Sequence, residues 1–205
     1  MADFTAKDVQ NLRQSAEVGM MDAKNALKEA DGHYDRAFEI LRERGLAKLA
    51  KRADKEASDG AIGSYIHYQN ERAVMGVLIE LACETDFVAK SPEFRDAADD
   101  IAMHVSWSAP RWITREEVDR ESLDEERALI TKQAEADGKP EHVIPKIVEG
   151  RIESFLKENV LYDQEFVNQD KFEGTVGEMV TKLASKMGEN ISIRQVSRVA
   201  VGEAG

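Results

Sequence analysis

Met75-Gly76-Val77-Leu78-Ile79-Glu80-Leu81-Ala82-Cys83-Glu84-Thr85-Asp86-Phe87-Val88-Ala89-Lys90 decides how this chain is organised. Met75, Val77, Ile79, Leu81 and Cys83 fall on one side of an alternating pattern. The other side carries Val74, Gly76, Leu78, Glu80, Ala82 and Glu84 and turns polar toward its end. Successive side chains of a strand point to opposite faces, so the pattern predicts a half-buried strand of an antiparallel pair. Just past the apolar run stand an acid and a large aromatic, Asp86 and Phe87. A strand end is a stiff mount and the loop after it meets water, so Thr85, Asp86, Phe87 and Val88 read as a short probe held out by a sheet. A plainer role is also open: a Phe after a strand ordinarily tucks under the next helix, and an Asp before it caps a turn.

Upstream, Asp59-Gly60 opens a second alternating run, with Ile62, Ser64, Ile66 and Tyr68 against Ala61, Gly63, Tyr65 and His67. Gln69-Asn70-Glu71-Arg72 is the expected hairpin loop between the two strands. A last strand opens at Ile191-Ser192-Ile193, and its parity shifts before Val196, which predicts a bulge. It is expected to join the hairpin in one three-stranded antiparallel sheet. Cys83 falls on the apolar face and reads as buried filler rather than a reactive thiol.

Helices fill the interval. Ser91-Pro92-Glu93 is a start signal, a hydroxyl cap followed by Pro at the first helical position, and Phe94, Ala97, Ala98, Ile101 and Val105 give the inner face. Trp107 to Trp112 is read as a loop whose two indoles either pack over the end of the sheet or form a stacking wall for a ligand. Residues 115–136 are highly charged and read as exposed helix, with thin apolar marks at Val118, Leu123, Leu129 and Ile130. After Gly138-Lys139-Pro140, a stripe of Val143, Ile144, Ile147, Val148, Ile152, Phe155 and Leu156 marks another helix. Leu161, Phe166 and Phe172 sit in an irregular stretch, residues 175–187 read as a further helix, and the tail 202–205 as loose.

The N-terminal segment reads as three short helices. Val9, Leu12 and Ala16, with Phe4 ahead, recur at helical spacing, and Thr5 with Asp8 makes a weak form of the capping box. Ala23, Ala26, Leu27 and Ala30 give one face of a second helix, and Asp31-Gly32 a turn. Ala37, Phe38 and Leu41 are expected inward on a third, stopped by Gly45. Such a bundle is either a protein-binding module or a folding cap for the remainder. The predicted fold class is thus α+β: a three-helix N-terminal bundle (1–46), a helical or flexible linker (47–58) and a core domain (59–205) with a helix-covered antiparallel sheet.

Charge narrows the function. Residues 1–55 carry 11 basic and 10 acidic side chains and the rest 17 and 30, for a net charge of −12. An acidic larger part argues against a nucleic-acid surface, which needs clustered positive charge. The one basic cluster, Lys48, Lys51, Arg52 and Lys55, lacks aromatic company. No apolar stretch approaches a membrane span, and Met1-Ala2-Asp3-Phe4-Thr5 resembles no signal peptide. The lone Cys83 suits a reducing cytosol, so a cytoplasmic location is expected. Phosphate-loop and dinucleotide-loop glycine patterns are absent, and His33, His67, His104 and His142 lack the paired spacing of metal ligands. The expectation is surfaces rather than an active site: no enzyme, no catalytic residue, no cofactor and no metal.

Several stretches are specific enough to point to a family. Thr85-Asp86-Phe87-Val88-Ala89-Lys90 after an apolar strand resembles the signature of elongation factor Ts, the guanine-nucleotide exchange factor for elongation factor Tu. Gly19-Met20-Met21-Asp22-Ala23-Lys24-Asn25-Ala26-Leu27 is similar to its N-terminal signature, and Ile101-Ala102-Met103-His104-Val105 to its following helix. Further agreement lies at 138–151, around Gly138-Lys139-Pro140-Glu141, and at Gln164-Glu165-Phe166-Val167, in the family's order.

The resemblance implies a mechanism. The bundle, similar to a ubiquitin-associated module, would dock on the nucleotide-binding domain of elongation factor Tu, GDP-bound or nucleotide-free, through Leu12, Gly19, Met20, Met21 and Lys24. The tip of Thr85, Asp86, Phe87 and Val88 would intrude beside the partner's magnesium, release GDP and allow GTP to reload. Longer members carry two similar core halves where this chain has one, and short members pair two chains, so a homodimer is implied. Direct binding of nucleotide, nucleic acid or membrane is not. Two competing readings are an adaptor of the ubiquitin-associated type without exchange activity, and a small enzyme using Asp86 as a base.

Overall fold

A computed structural model describes residues 4–16, 18–52 and 54–203. The expectations placed on residues 1–3 and on Ala204 and Gly205 lie outside them, as does the side chain of Lys48. The chain runs α1 (Ala6–Ala16), α2 (Met20–Glu29), α3 (Tyr34–Ala50), β1 (Asp59–Gln69), β2 (Arg72–Cys83), α4 (Asp86–Ala89), α5 (Pro92–Ser108), α6 (Arg120–Ala136), α7 (Ile144–Asn159), α8 (Val176–Met187) and β3 (Ser192–Ala200). This is the expected α+β fold with a three-helix N-terminal bundle.

The bundle closes over its own small core of Val9, Leu12, Ala23, Ala26, Leu27, Ala30, Ala37 and Leu41. At its start, Thr5 and Asp8 bond reciprocally: the Thr5 amide reaches the Asp8 carboxylate at 2.7 Å and the Asp8 amide returns to Thr5 Oγ1 at 3.3 Å. Two expectations fail here. Phe38 is 37% exposed, because Ala37 and Leu41 already fill the inward positions and the next residue lies about 100° around the helix. Gly45 does not stop α3, which continues to Ala50. A Cβ at Gly45 would lie 2.7 Å from Ser185 Oγ, so the missing side chain lets α3 approach α8. The linker is accordingly helical in its first part.

The sheet order is β1-β2-β3, antiparallel throughout. Asn70 and Glu71 form a two-residue loop with φ of 48° and 63°, the left-handed pair that suits the twist of a hairpin. The bulge foreseen before Val196 is present. Glu80 faces Gln195 while Leu81 faces Ile193, which leaves Arg194 as the extra residue and turns both Ile193 and Val196 inward. Val77, Ile79, Leu81 and Cys83 line the inner face with Ile193, against Phe94, Ala98, Ile101 and Val105 of α5 and Val180, Leu183 and Ala184 of α8. Ser91 caps α5 as expected, accepting the Phe94 amide at 3.3 Å. A Cβ at Gly63 would sit 2.2 Å from the Ala98 carbonyl oxygen, so α5 can cross β1 only over a glycine.

The two indoles part company. Trp107 is 82% exposed, while Trp112 packs edge-on against Phe155 of α7 under the Arg111 guanidinium, 4.3 Å from the ring centre. Trp107 lines an open pocket together with Tyr65, His67 and Met75 of the hairpin. In the irregular stretch after α7, buried His104 of α5 acts as a clip: Nδ1 accepts the Val167 amide at 3.1 Å, so Nε2 carries the proton and donates to Gln164 Oε1 at 3.0 Å. Burial pushes its pKa down.

Candidate functional site

β2 ends at Cys83 and the chain turns at once into α4, a single helical turn. Thr85 is extended (φ −130°, ψ 151°) and caps that turn, accepting the Val88 amide on Oγ1 at 3.4 Å. Val88 and Ala89 are buried at 6% each and fix the inward side. Half a helical turn back lie Asp86 and Phe87, which must therefore face water. Phe87 is 83% exposed, the most open of the large apolar side chains among the described residues. The tucked-under reading of this aromatic is excluded.

The Asp86 carboxylate is not bare. Lys90, one turn on, pairs with it at 2.5 Å and holds its pKa below the usual carboxylate range. Cys83 donates to the Thr85 carbonyl at 3.2 Å, and burial with the nearby Glu189 charge lifts its thiol to about 11. It is protonated and inert at neutral pH, as expected of filler.

Two residues that gave no functional signal in the sequence shape this turn. Glu189, only 8% exposed, follows Gly188 at the end of α8. Its carboxylate accepts the Glu84 amide at 3.0 Å, the Thr85 amide at 3.1 Å and the Thr85 hydroxyl at 2.6 Å. Arg52, read earlier as part of a basic cluster, instead forms a two-pronged pair with Glu84 at 2.9 and 2.7 Å. That pair, with the Asn190 amide on the same carboxylate, depresses the Glu84 pKa to about 2. Asn190 Nδ2 also donates to the Lys55 carbonyl at 2.8 Å. The linker after α3 is thus pinned to the base of the tip.

The candidate docking residues of the bundle divide. Met20 is 50% exposed and Met21 63%, and Gly19 and Lys24 are also on the surface. Leu12 is completely enclosed. It belongs to the bundle core and cannot itself touch a partner while the bundle is folded. Among the described residues no three His, Cys, Asp or Glu side chains converge as a metal site would require, and no helix is long and apolar enough to cross a membrane.

Comparison with known proteins gives this geometry a setting. The family model "Elongation factor TS" matches residues 3–173. The chain belongs to the elongation factor Ts family. It is 48% identical to elongation factor Ts of Alkaliphilus oremlandii, over 98% of this chain and 90% of that protein. It is 44% identical to that of Thermosipho melanesiensis and 43% to that of Fervidobacterium nodosum, in both cases over 98% of this chain and all of the relative. Membership makes this a translation elongation factor. The family model spans the bundle, the hairpin and the tip but stops before α8 and β3, so Glu189, which holds the tip, lies beyond it, whereas the matches to the individual relatives run over 98% of the chain.

Proposed function

We propose that this chain promotes release of GDP from elongation factor Tu, with the exposed Phe87 and Asp86 as the working tip. The observation that carries the reading is a large aromatic held 83% in water on a backbone that is capped, clamped and buried on either side. Leaving such a ring in solvent is unfavourable unless a partner covers it. Magnesium on the partner bridges nucleotide phosphates to protein oxygens and demands near-octahedral ligation. A Phe wedged beside such a site, with an acid next to it, displaces the ligands by a fraction of an ångström and loosens metal and GDP together. Coupling is reciprocal: a factor that weakens GDP binding is itself expelled by incoming nucleotide, so GTP can reload. The factor makes and breaks no covalent bond and is not an enzyme in this reading.

The bundle supplies docking through Gly19, Met20, Met21 and Lys24, with the half-exposed methionines as adaptable apolar contacts. A second copy of the chain completes the assembly in the cytoplasm. The outer face of the sheet supports this, since Ile62, Ile66, Leu78 and Val199 stand 46–71% exposed on one side. Two such faces can cover each other about a twofold axis.

Stopped-flow release of fluorescent GDP from elongation factor Tu tests the proposal directly. Acceleration that saturates with factor concentration is expected, and none at saturating factor overturns it. Sedimentation equilibrium should give twice the chain mass, while a monomer at tens of micromolar would remove the homodimer.

A further inference from the structure

We propose that Glu189 is a positioning residue for the tip, fixing the direction in which Thr85 presents Phe87. This rests on the exchange reading above. A carboxylate removed from water is costly unless its oxygens are satisfied, and the donors on Glu189 come from the tip's base: the Glu84 and Thr85 amides on Oε2, the Thr85 hydroxyl on Oε1.

The hydroxyl is the link to Phe87. A hydroxyl has one proton, and here the carboxylate takes it at 2.6 Å. Only the lone pairs of Oγ1 remain, and these receive the Val88 amide that closes the turn of α4. Glu189 thereby sets the capping geometry as well as the backbone path. It does so from the junction of α8 and β3, two elements packed into the main core. Through Glu84, the carboxylate next in line, Arg52 brings the middle of the bundle's linker to the same point. The docking bundle and the wedge are thus referenced to one rigid corner, which lets docking fix where Phe87 lands. An amide at 189 would weaken the arrangement: with its carbonyl on the two amides, its NH2 group would meet Thr85 Oγ1, turning that hydroxyl from donor to acceptor and replacing a charge-assisted bond with a neutral one.

The test compares wild type, Glu189→Gln, Thr85→Val, Thr85→Ser and Phe87→Ala on elongation factor Tu loaded with fluorescent GDP, separating the maximal exchange rate from the half-saturating concentration. Glu189→Gln is expected to lower the maximal rate about tenfold, the range of a lost charge-assisted hydrogen bond, with half-saturation changed less than about threefold. Thr85→Val should do the same and Thr85→Ser should restore the rate. A merely structural role behaves differently: a partly unfolded population raises the apparent half-saturation and leaves the maximal rate intact. A Glu189→Gln protein with the wild-type maximal rate overturns the proposal. If that variant does not fold by circular dichroism, Thr85→Val decides, and its wild-type rate overturns the proposal equally. Slowing in Phe87→Ala without slowing in the Glu189 and Thr85 variants sinks the positioning role alone. A wild-type chain that fails to accelerate release removes the exchange reading, and the positioning role with it.

Discussion

Replacing Phe87 by Ala separates the tip's function from its folding. The side chain is 83% exposed, so the free protein has little burial to lose, and its stability should change by less than about 0.5 kcal/mol. Docked as a wedge, the same ring would pass from water to an apolar contact, worth about 1.5–3 kcal/mol for a fully buried Phe. If that burial is realised where the partner's nucleotide site is distorted, its loss appears in the rate of GDP release as roughly a 10- to 150-fold drop. Binding through the bundle would persist, so half-saturation should move far less than the maximal rate. Stopped-flow traces over a range of factor concentrations give both quantities, and a thermal melt controls for stability. A variant that melts like wild type and exchanges at full speed refutes the assignment. Phe94 is the counter-case. Its ring is fully enclosed, and Phe94→Ala should destabilise the core by about 3–5 kcal/mol.

Met21→Glu should raise the half-saturating concentration while leaving the melting temperature and the maximal rate close to wild type, since the side chain is 63% exposed beside Gly19 and Lys24; an unchanged titration would move docking elsewhere on the bundle. Acidification should loosen the clip at His104. Its folded pKa lies below the ordinary value near 6.5, so the unfolded chain binds the proton first as pH drops. The contribution is complete above that value and falls away below it, with a slope of at most about 1.4 kcal/mol per pH unit, which urea titrations of wild type and His104→Gln between pH 7.5 and 5 would compare. Gly63→Val should destabilise by several kcal/mol, because even the first added carbon meets the Ala98 backbone at 2.2 Å; a melt unchanged from wild type would mean that α5 can shift freely.

What the sequence made legible was local. Alternation located β1 and β2, a one-residue change of parity located the bulge at Arg194, and Ser91-Pro92 located the start of α5, because each signal and its consequence lie within a few residues. The helical extent of α3 was misjudged because Gly45 serves an approach to Ser185 that lies far along the chain. The exposure of Phe87 was undecided for a related reason. It depends on Val88 and Ala89 being the inward side of a single turn, and a single turn has no periodicity to read. Least visible was Glu189, whose bond to the Glu84 amide spans 105 residues. An acid at the end of a helix looks like ordinary solvated charge until a structure brings donors to it. Arg52 is hidden for the same cause: its basic neighbours adjoin it in the sequence, and the carboxylate it pairs with does not.

On the proposed exchange reading, rigidity is what would allow a tip this small to act. Ordering one residue's backbone costs roughly 1–2 kcal/mol, so a loose four-residue tip made to order on docking would lose about 4–8 kcal/mol. That exceeds the roughly 1.5–3 kcal/mol available from burying one Phe, and a flexible tip would have nothing left with which to distort a neighbouring site. Here the ordering is already complete in the free protein. Thr85 caps the turn, Glu189 holds both amides before it, and Val88 and Ala89 anchor the far side. If Phe87 docks as proposed, its full burial energy would then be free to act on the partner. The Asp86–Lys90 pair fits the same logic: in the free protein the carboxylate carries a cation at 2.5 Å, so on the proposed reading the ring would be the main displacing agent. Loosening the clamp should therefore imitate removal of the ring: Glu189→Gln and Phe87→Ala should lower the maximal rate less in combination than the product of their separate effects. Simple multiplication of the two would mean that Glu189 and Phe87 act independently.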